Sequence, residues 1–121
     1  MFPFDQIRSK LQHKKQHEKV RQAQQWPTTA AEINHWSIVT ADQEIASSAT
    51  PYQIEARFHF SLNGEYFGGY LRSVALTHHG AEVAAKGSPT INVRYNPANP
   101  DSVAVLAEDN VGNLPFPIIS G

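Results

Sequence analysis

An alternating stretch from Tyr52 to Leu62 constrains the fold of this chain more than any other feature of its sequence. Apolar side chains occupy every second position, and polar or charged residues lie between them. The apolar residues are Tyr52, Ile54, Ala56, Phe58, Phe60 and Leu62. Successive side chains of a β-strand point to opposite faces, whereas a helix repeats about every 3.6 residues. The pattern therefore predicts a strand that buries one face in a sheet.

The two residues that follow, Asn63-Gly64, are typical of a tight hairpin turn. Both central residues of a type I′ turn need a positive φ, which Asn and Gly tolerate best. A two-residue turn also fixes the pairing of the returning strand. Phe60 should therefore face Phe67, and Phe58 should face Gly69. In the second pair a large ring covers backbone that has no side chain of its own to pack.

The remaining segments predict a mainly β domain preceded by a helix. Further strands are expected at residues 28–39, 90–95 and 102–106, with a loop at 40–50, a short helical turn at 81–86 and a turn at 96–100. We expect a small antiparallel β sandwich or barrel of about five to six strands, because such strands with turn residues between them favour these architectures. The tail after residue 106 is interpreted as either a capping segment or a mobile one.

Residues 4–25 are rich in Gln, Lys, Arg and Glu and contain neither Gly nor Pro, which predicts one helix that ends before Trp26-Pro27. Its first half should dock through an apolar stripe at Phe4, Ile7 and Leu11, whereas its second half should be largely solvated. The chain is thus divided into a basic helical arm, residues 1–25, and a single β domain, residues 26–121.

Chain length and composition narrow the range of functions. The 121 residues suffice for one domain with its own core, and the absence of cysteine removes thiol catalysis, thiolate metal ligands and disulfides. No apolar run is long enough for a secretory signal or a membrane span, so we expect a cytoplasmic protein. Neither G-x-S-x-G, H-E-x-x-H nor a phosphate-binding glycine loop occurs, and no cofactor is predicted.

Charge is distributed unevenly along the chain. Residues 1–25 carry six basic and two acidic residues, a balance of +4, whereas residues 26–121 carry four basic and nine acidic residues, a balance of −5. An acidic body does not suit nucleic acid. The basic helix has three interpretations: docking on the sheet, lying on an anionic membrane surface, or mediating self-association or a nucleic-acid contact. The residues that would touch an anionic surface are Arg8, Lys14, Lys15 and Lys19.

Several short motifs from Trp26-Pro27 onward occur in a characteristic order. A Tyr-rich alternating strand runs into Gly64, Tyr66-Phe67-Gly68 follows, and Val93–Pro100 reads V-x-Y-N-P-x-x-P. Over residues 26–106 the chain resembles the family catalogued as domain of unknown function 3592. The resemblance implies a compact β domain and no assigned reaction. Members of that family often carry transmembrane helices beside the domain, whereas this chain has a basic helix there, which argues against anchoring and leaves surface association open.

Six histidines are the first place to look for chemistry. His13 and His17 lie four residues apart on the predicted helix, so both rings could share one face. Two ligands are too few for a structural zinc site, and the neighbouring Lys14 and Lys15 would repel a cation. A solvated helix face is therefore the favoured interpretation of this pair.

The other histidine candidates lie in the β domain. His78 and His79 are adjacent in sequence, so their side chains should point apart. His59 lies on the polar side of the best-defined strand, and His35 could join it only if their strands are neighbours. These four residues, His35, His59, His78 and His79, are the candidate ligands of a metal site, with ordinary surface histidine as the alternative.

The polar side of the hairpin is the best candidate for a contact surface. The predicted register places Tyr66 and Tyr70 there together with Arg57, opposite the buried phenylalanines. A base-stacking platform would need a basic groove, which this acidic part of the chain does not supply.

We therefore favour a non-catalytic binding or structural module whose ligand is a protein partner or a second copy, with no small-molecule substrate indicated. Two alternatives remain open. One is a metal-dependent enzyme built on the four histidines of the β domain, and the other is a peripheral membrane-surface protein that uses the basic helix.

Overall fold

A six-stranded antiparallel sheet forms the framework of the protein. The computed structural model describes residues 17–87 and 89–121. The strands are β1 (Thr28–Thr40), β2 (Tyr52–Leu62), β3 (Glu65–Ser73), β4 (Thr90–Asn96), β5 (Asn99–Ala104) and β6 (Ile118–Ile119). Their order in the sheet is β5-β4-β1-β2-β3-β6, and every neighbouring pair is antiparallel. The predicted fold class, a helix followed by a small antiparallel β domain, is confirmed.

The sheet curls without closing into a barrel. Its curvature brings β5 towards β3, but no ladder joins these strands within the described part of the chain. Just beyond the ends of β5 and β6, Val105 and Gly121 exchange two backbone hydrogen bonds of 2.8 and 3.1 Å. The C-terminal segment is thus a capping segment that bridges the two edges of the sheet at one end.

The β2–β3 hairpin has the predicted geometry. Asn63 and Gly64 have φ angles of 52° and 86°, as a type I′ turn requires. The ladder pairs Leu62 with Glu65 and continues in step as far as Glu55 with Arg72. Because side chains alternate strictly along both strands, this register decides which face of the hairpin each residue occupies.

The hydrophobic core lies on the concave side of the sheet. All six strands contribute to it, and its members include Ile33, Ile54, Phe58, Phe60, Leu71, Ile91 and Val93 of β1 to β4, Val103 of β5 and Ile118 of β6. The rings of Phe60 and Phe67 stack with centroids 5.8 Å apart. Phe58 lies over Gly69 so closely that a Cβ there would come within 2.9 Å of the ring. The hairpin is therefore held rigidly by its inner side.

One residue of the alternating stretch departs from the simple pattern. Gln53 lies on the polar side of β2 and is only 1% exposed, because the loop after β1 covers it. Its Oε1 accepts a hydrogen bond of 3.1 Å from the amide of Asp42, and its Nε2 donates one of 2.7 Å to the carbonyl of Ser73. Burial of a polar side chain is tolerated here because both of its ends are paired.

Two α-helical segments of the described residues accompany the sheet. Residues 17–23 are helical and are called α1, and α2 runs from His78 to Ala84. The predicted helical turn at 81–86 begins earlier than expected, because the hydroxyl of Thr77 accepts a hydrogen bond from the amide of Gly80 and caps the helix there. The apolar stripe predicted for the first half of the N-terminal helix lies outside the described residues.

The described residues of α1 dock on the sheet. Ala23 is fully buried, and with Val20 and Trp26 it packs against Ala104 and Leu106 at the end of β5. The sequence predicts a largely solvated second half for this helix, and its described residues, 17–23, combine exposed charges with the buried Ala23. The chain enters β1 directly from this contact.

Replacing Gly68 with alanine tests how tightly the hairpin is built. A Cβ at this position would lie 2.7 Å from the carbonyl oxygen of Phe58, and because that atom is backbone, the two strands would have to shift apart. We expect Gly68→Ala to lower the free energy of unfolding by about 1–3 kcal/mol. Ser61→Ala, at an exposed position of the same hairpin, should change it by less than about 0.5 kcal/mol. Equal urea midpoints for both variants would contradict this packing.

Candidate functional site

The convex surface of β1, β2 and β3, which we call the outer face, carries the residues that sequence analysis selected as a contact surface. The side chains on it come from three adjacent strands. They are Glu32, Asn34, His35 and Ser37 of β1, Glu55, Arg57, His59 and Ser61 of β2, and Tyr66, Gly68, Tyr70 and Arg72 of β3. The face combines both signs of charge with two aromatic rings, so it is suited to recognition of another surface.

Two exposed tyrosines stand on the outer face on either side of a glycine. Tyr66 is 80% exposed and Tyr70 is 63% exposed, although the neighbouring Phe67 turns inward. Four residues of a strand separate the two rings' attachment points by about 13 Å. Gly68 lies midway between them and leaves a hollow with His59 as its cross-strand neighbour. The face therefore has two projections and a recess.

A shallow depression of about 510 Å³ begins at this recess. Its lining includes Asn34, Arg57, Gly68 and Tyr70. Asn34 reaches it because the β1–β2 register shifts between Ile33 and His35, which marks a bulge in β1. The amide nitrogen of Asn34 donates a hydrogen bond of 3.0 Å to Nδ1 of His59.

The two arginines of the outer face differ in their partners. Arg72 donates two hydrogen bonds, of 3.0 and 3.1 Å, to one carboxylate oxygen of Glu55, its cross-strand neighbour. Arg57 lies between His35 and Tyr70 in the ladders, and its guanidinium makes no hydrogen bond or ion pair with any described residue. Within the described structure, Arg57 is thus an available cation next to an exposed aromatic ring.

The structure separates the candidate histidines into two places. His35 and His59 lie on the neighbouring strands β1 and β2, which is the condition for the two residues to belong to one site. Nε2 of His35 is 3.3 Å from Oγ of Ser37. His78 and His79 begin α2, where Nε2 of His78 is 3.2 Å from a carboxylate oxygen of Glu82. Across residues 17–87 and 89–121, no three His, Asp or Glu side chains come together in a way that could hold a metal ion.

Most of the residues proposed for an anionic surface lie outside the described ranges. These are Arg8, Lys14 and Lys15, whereas Lys19 belongs to the described residues of α1. Of the histidine pair predicted on this helix, His13 also lies outside the described ranges and His17 lies within them. Of the helices in the described part of the chain, none has the length and apolarity that crossing a membrane requires.

A second depression, of about 400 Å³, lies between the 3-10 helix at Ala107–Asn110 and the C-terminal segment. Its lining is apolar apart from Asn110. The Asn110 amide is already engaged, since its Nδ2 donates to the carbonyls of Asn92 and Leu106 at 2.9 and 3.0 Å. This depression therefore offers a ligand little polar chemistry that could orient it.

Sequence reasoning missed the strongest electrostatic contact in the described structure, which joins Arg94 and Asp109. Nε and Nη2 of Arg94 donate hydrogen bonds of 2.7 and 2.9 Å to the two carboxylate oxygens. Nη1 donates to the carbonyl of Gln24 at 2.8 Å, beyond the end of α1. The contact joins residues far apart in sequence, so no local spacing indicates it. Its role is to brace α1 and the 3-10 helix against β4.

This bidentate contact also perturbs the titration of both groups. Hydrogen bonds from Arg94 hold the pKa of the Asp109 carboxyl below its usual range, although burial acts in the opposite direction. Perturbed groups often mark active sites. Here the charged groups of Arg94 and Asp109 are directed at structural partners, so the shift reports a brace rather than a reactive group.

The free energy of unfolding of an Asp109→Asn variant, compared with that of wild type at a series of pH values, tests this interpretation. Because the pKa of Asp109 is lower in the folded than in the unfolded chain, where it is about 3.9, its contribution to stability is complete above about pH 5. It is lost as the pH falls through the folded-state pKa. We expect the variant to be less stable by about 1–3 kcal/mol at neutral pH.

The difference in free energy of unfolding between wild type and variant should shrink when both are denatured chemically at successively lower pH. Asp101→Asn, at an exposed position of β5, is the matched control and should show no such deficit. A deficit of Asp109→Asn that stays constant down to about pH 2 would contradict the linkage.

Comparison of the chain with protein-family models, with curated proteins and with solved structures finds no match. The resemblance to domain of unknown function 3592 therefore stays a prediction. The outer face and its chemistry are the basis for a functional conclusion.

Proposed function

We propose that this domain is a non-catalytic binding module that contacts a protein partner through its outer face. Tyr66, Tyr70 and Arg57 are the central contact residues in this proposal. The observation that carries it is the exposure of two tyrosines on a rigid hairpin, beside an arginine that has no partner among the described residues. Tyrosine and arginine dominate the binding energy of many protein interfaces.

The hairpin reduces the entropic cost of binding. A tyrosine side chain has two rotatable angles and a large apolar surface, so fixing it costs little for the area it buries. The backbone of the hairpin that carries the two tyrosines is already fixed by the packing of Phe58 on Gly69 and of Phe60 on Phe67. A partner would therefore meet a surface that needs little reorganisation, which favours affinity.

Nothing in the described structure favours the other two functions considered. A metal-dependent enzyme built on His35, His59, His78 and His79 would need these side chains to converge, and they lie in two separate places. A role for the basic helix at a membrane depends on residues outside the described ranges. Nucleic acid is also disfavoured, since residues 26–121 carry nine acidic and four basic residues.

Alanine substitutions distinguish contact residues from structural ones. Tyr70→Ala should change the free energy of unfolding by less than about 0.5 kcal/mol, because the ring is mostly exposed. Phe67→Ala, on the same strand but turned inward, should cost at least about 2 kcal/mol. A large loss of stability in Tyr70→Ala, measured by urea denaturation, would assign that ring to the fold instead.

Site-specific photo-crosslinking tests the contact itself. A benzoylphenylalanine residue replaces Tyr66 or Tyr70 in the full chain, expressed in cells of the source organism, and irradiation is followed by mass analysis of adducts. The control position is Val83 on α2, which is 53% exposed and lies away from the outer face. We expect discrete protein adducts from positions 66 and 70, weakened by Arg57→Glu. Absence of protein adducts there, or equal yields from position 83, would contradict the proposal.

A further inference from the structure

The outer face is complementary to itself in shape. Tyr70 projects from β3, and two residues away Gly68 lines the shallow depression on the same face. When two copies of one surface meet about a twofold axis, a projection beside the axis enters the recess of the other copy, and the reverse contact forms at the same time. A projection next to a recess is therefore the geometry that an isologous dimer uses.

The same face is also complementary to itself in charge. Arg57 is a cation with no partner among the described residues. Glu32, on the neighbouring strand, has a side chain that is 71% exposed, and the nearest basic atom to its carboxylate among the described residues is Nε2 of His59 at 3.8 Å. A contact of that length between exposed groups contributes little. Each copy thus offers one available cation and one available anion on one surface.

We propose that the partner of the outer face is a second copy of this chain, bound face to face about a twofold axis with Arg57 of each copy paired to Glu32 of the other. The inference rests on the proposed binding function and names the partner. Because of the twofold symmetry, the two ion pairs form together. Each Tyr70 ring enters the hollow at Gly68 of the opposite copy. The guanidinium of each Arg57 then also lies near a Tyr70 ring, with which it can form a cation–π contact.

Charge reversal provides a test that separates contacts between copies from effects within one. In an Arg57→Glu homodimer, the introduced carboxylate of each copy would meet Glu32 of the other. In a Glu32→Arg homodimer, the introduced guanidinium of each copy would meet Arg57 of the other. Each single variant should therefore dimerise at least about tenfold more weakly than wild type. An equimolar mixture of the two variants should recover dimer, because one of the two contacts in the mixed pair joins the introduced opposite charges and the other joins Arg57 to Glu32.

The measurement is sedimentation velocity of the full chain at about 10 μM to 1 mM, since a small interface gives affinities in the micromolar range or weaker. Wild type should shift from monomer to dimer over this range, and the Arg57→Glu, Glu32→Arg double variant should do so as well. Lys86→Glu and Asp101→Arg are matched charge reversals at exposed positions off the outer face and should dimerise like wild type. Circular dichroism of every variant confirms that each is folded.

Three results would overturn the proposal: wild type that stays monomeric at the highest concentration, single reversals that dimerise like wild type, or a mixture of the single variants that stays monomeric. These outcomes are distinct from failure of the binding function. If photo-crosslinking at position 70 yields an adduct with a different protein while the wild-type chain is monomeric, the face binds another partner and only self-association is wrong.

Discussion

The close packing of β2 against Gly68 and Gly69 of β3 is the interaction on which the rest of the structure depends. Phe58 fills the space above Gly69, and a Cβ at Gly68 would meet the backbone of β2 at 2.7 Å. With the Asn63-Gly64 turn, this contact fixes the register of the hairpin. Because the register assigns every side chain to a face, the same contact that builds the core also leaves Tyr66 and Tyr70 in solvent.

This coupling explains how much of the molecule can be predicted from its sequence. The hairpin, its register and the faces of its tyrosines follow from local rules: alternation with period two, and a turn whose residues accept positive φ. Contacts over long separations give no such signal. Arg94 braces α1 and the 3-10 helix through partners 70 and 15 positions away, and only folding brings them together. Gln53 is likewise expected at the surface from its place in the alternating pattern, but in the structure the loop after β1 covers it.

The boundaries of the elements are predicted less well than their existence, for identifiable reasons. α2 begins at His78 because Thr77 caps it, a side-chain contact that the apolar pattern does not report. β5 begins at Asn99 rather than at residue 102. It can include Pro100 because β5 is an edge strand, where a missing backbone donor can face outward. The C-terminal tail forms β6 because β3 offers an edge to pair with.

The central claim is that the outer face is a contact surface through which two copies of the chain bind each other, and not simply the solvated side of a sheet. Amide chemical shifts of isotopically labelled protein, followed by NMR through a dilution series, test it most directly. We expect concentration-dependent shifts that cluster at residues 32–37, 55–61 and 66–72, with the amides of α2 unchanged. Shifts centred on another surface, or a spectrum that does not change with concentration while wild type sediments as a dimer, would contradict it.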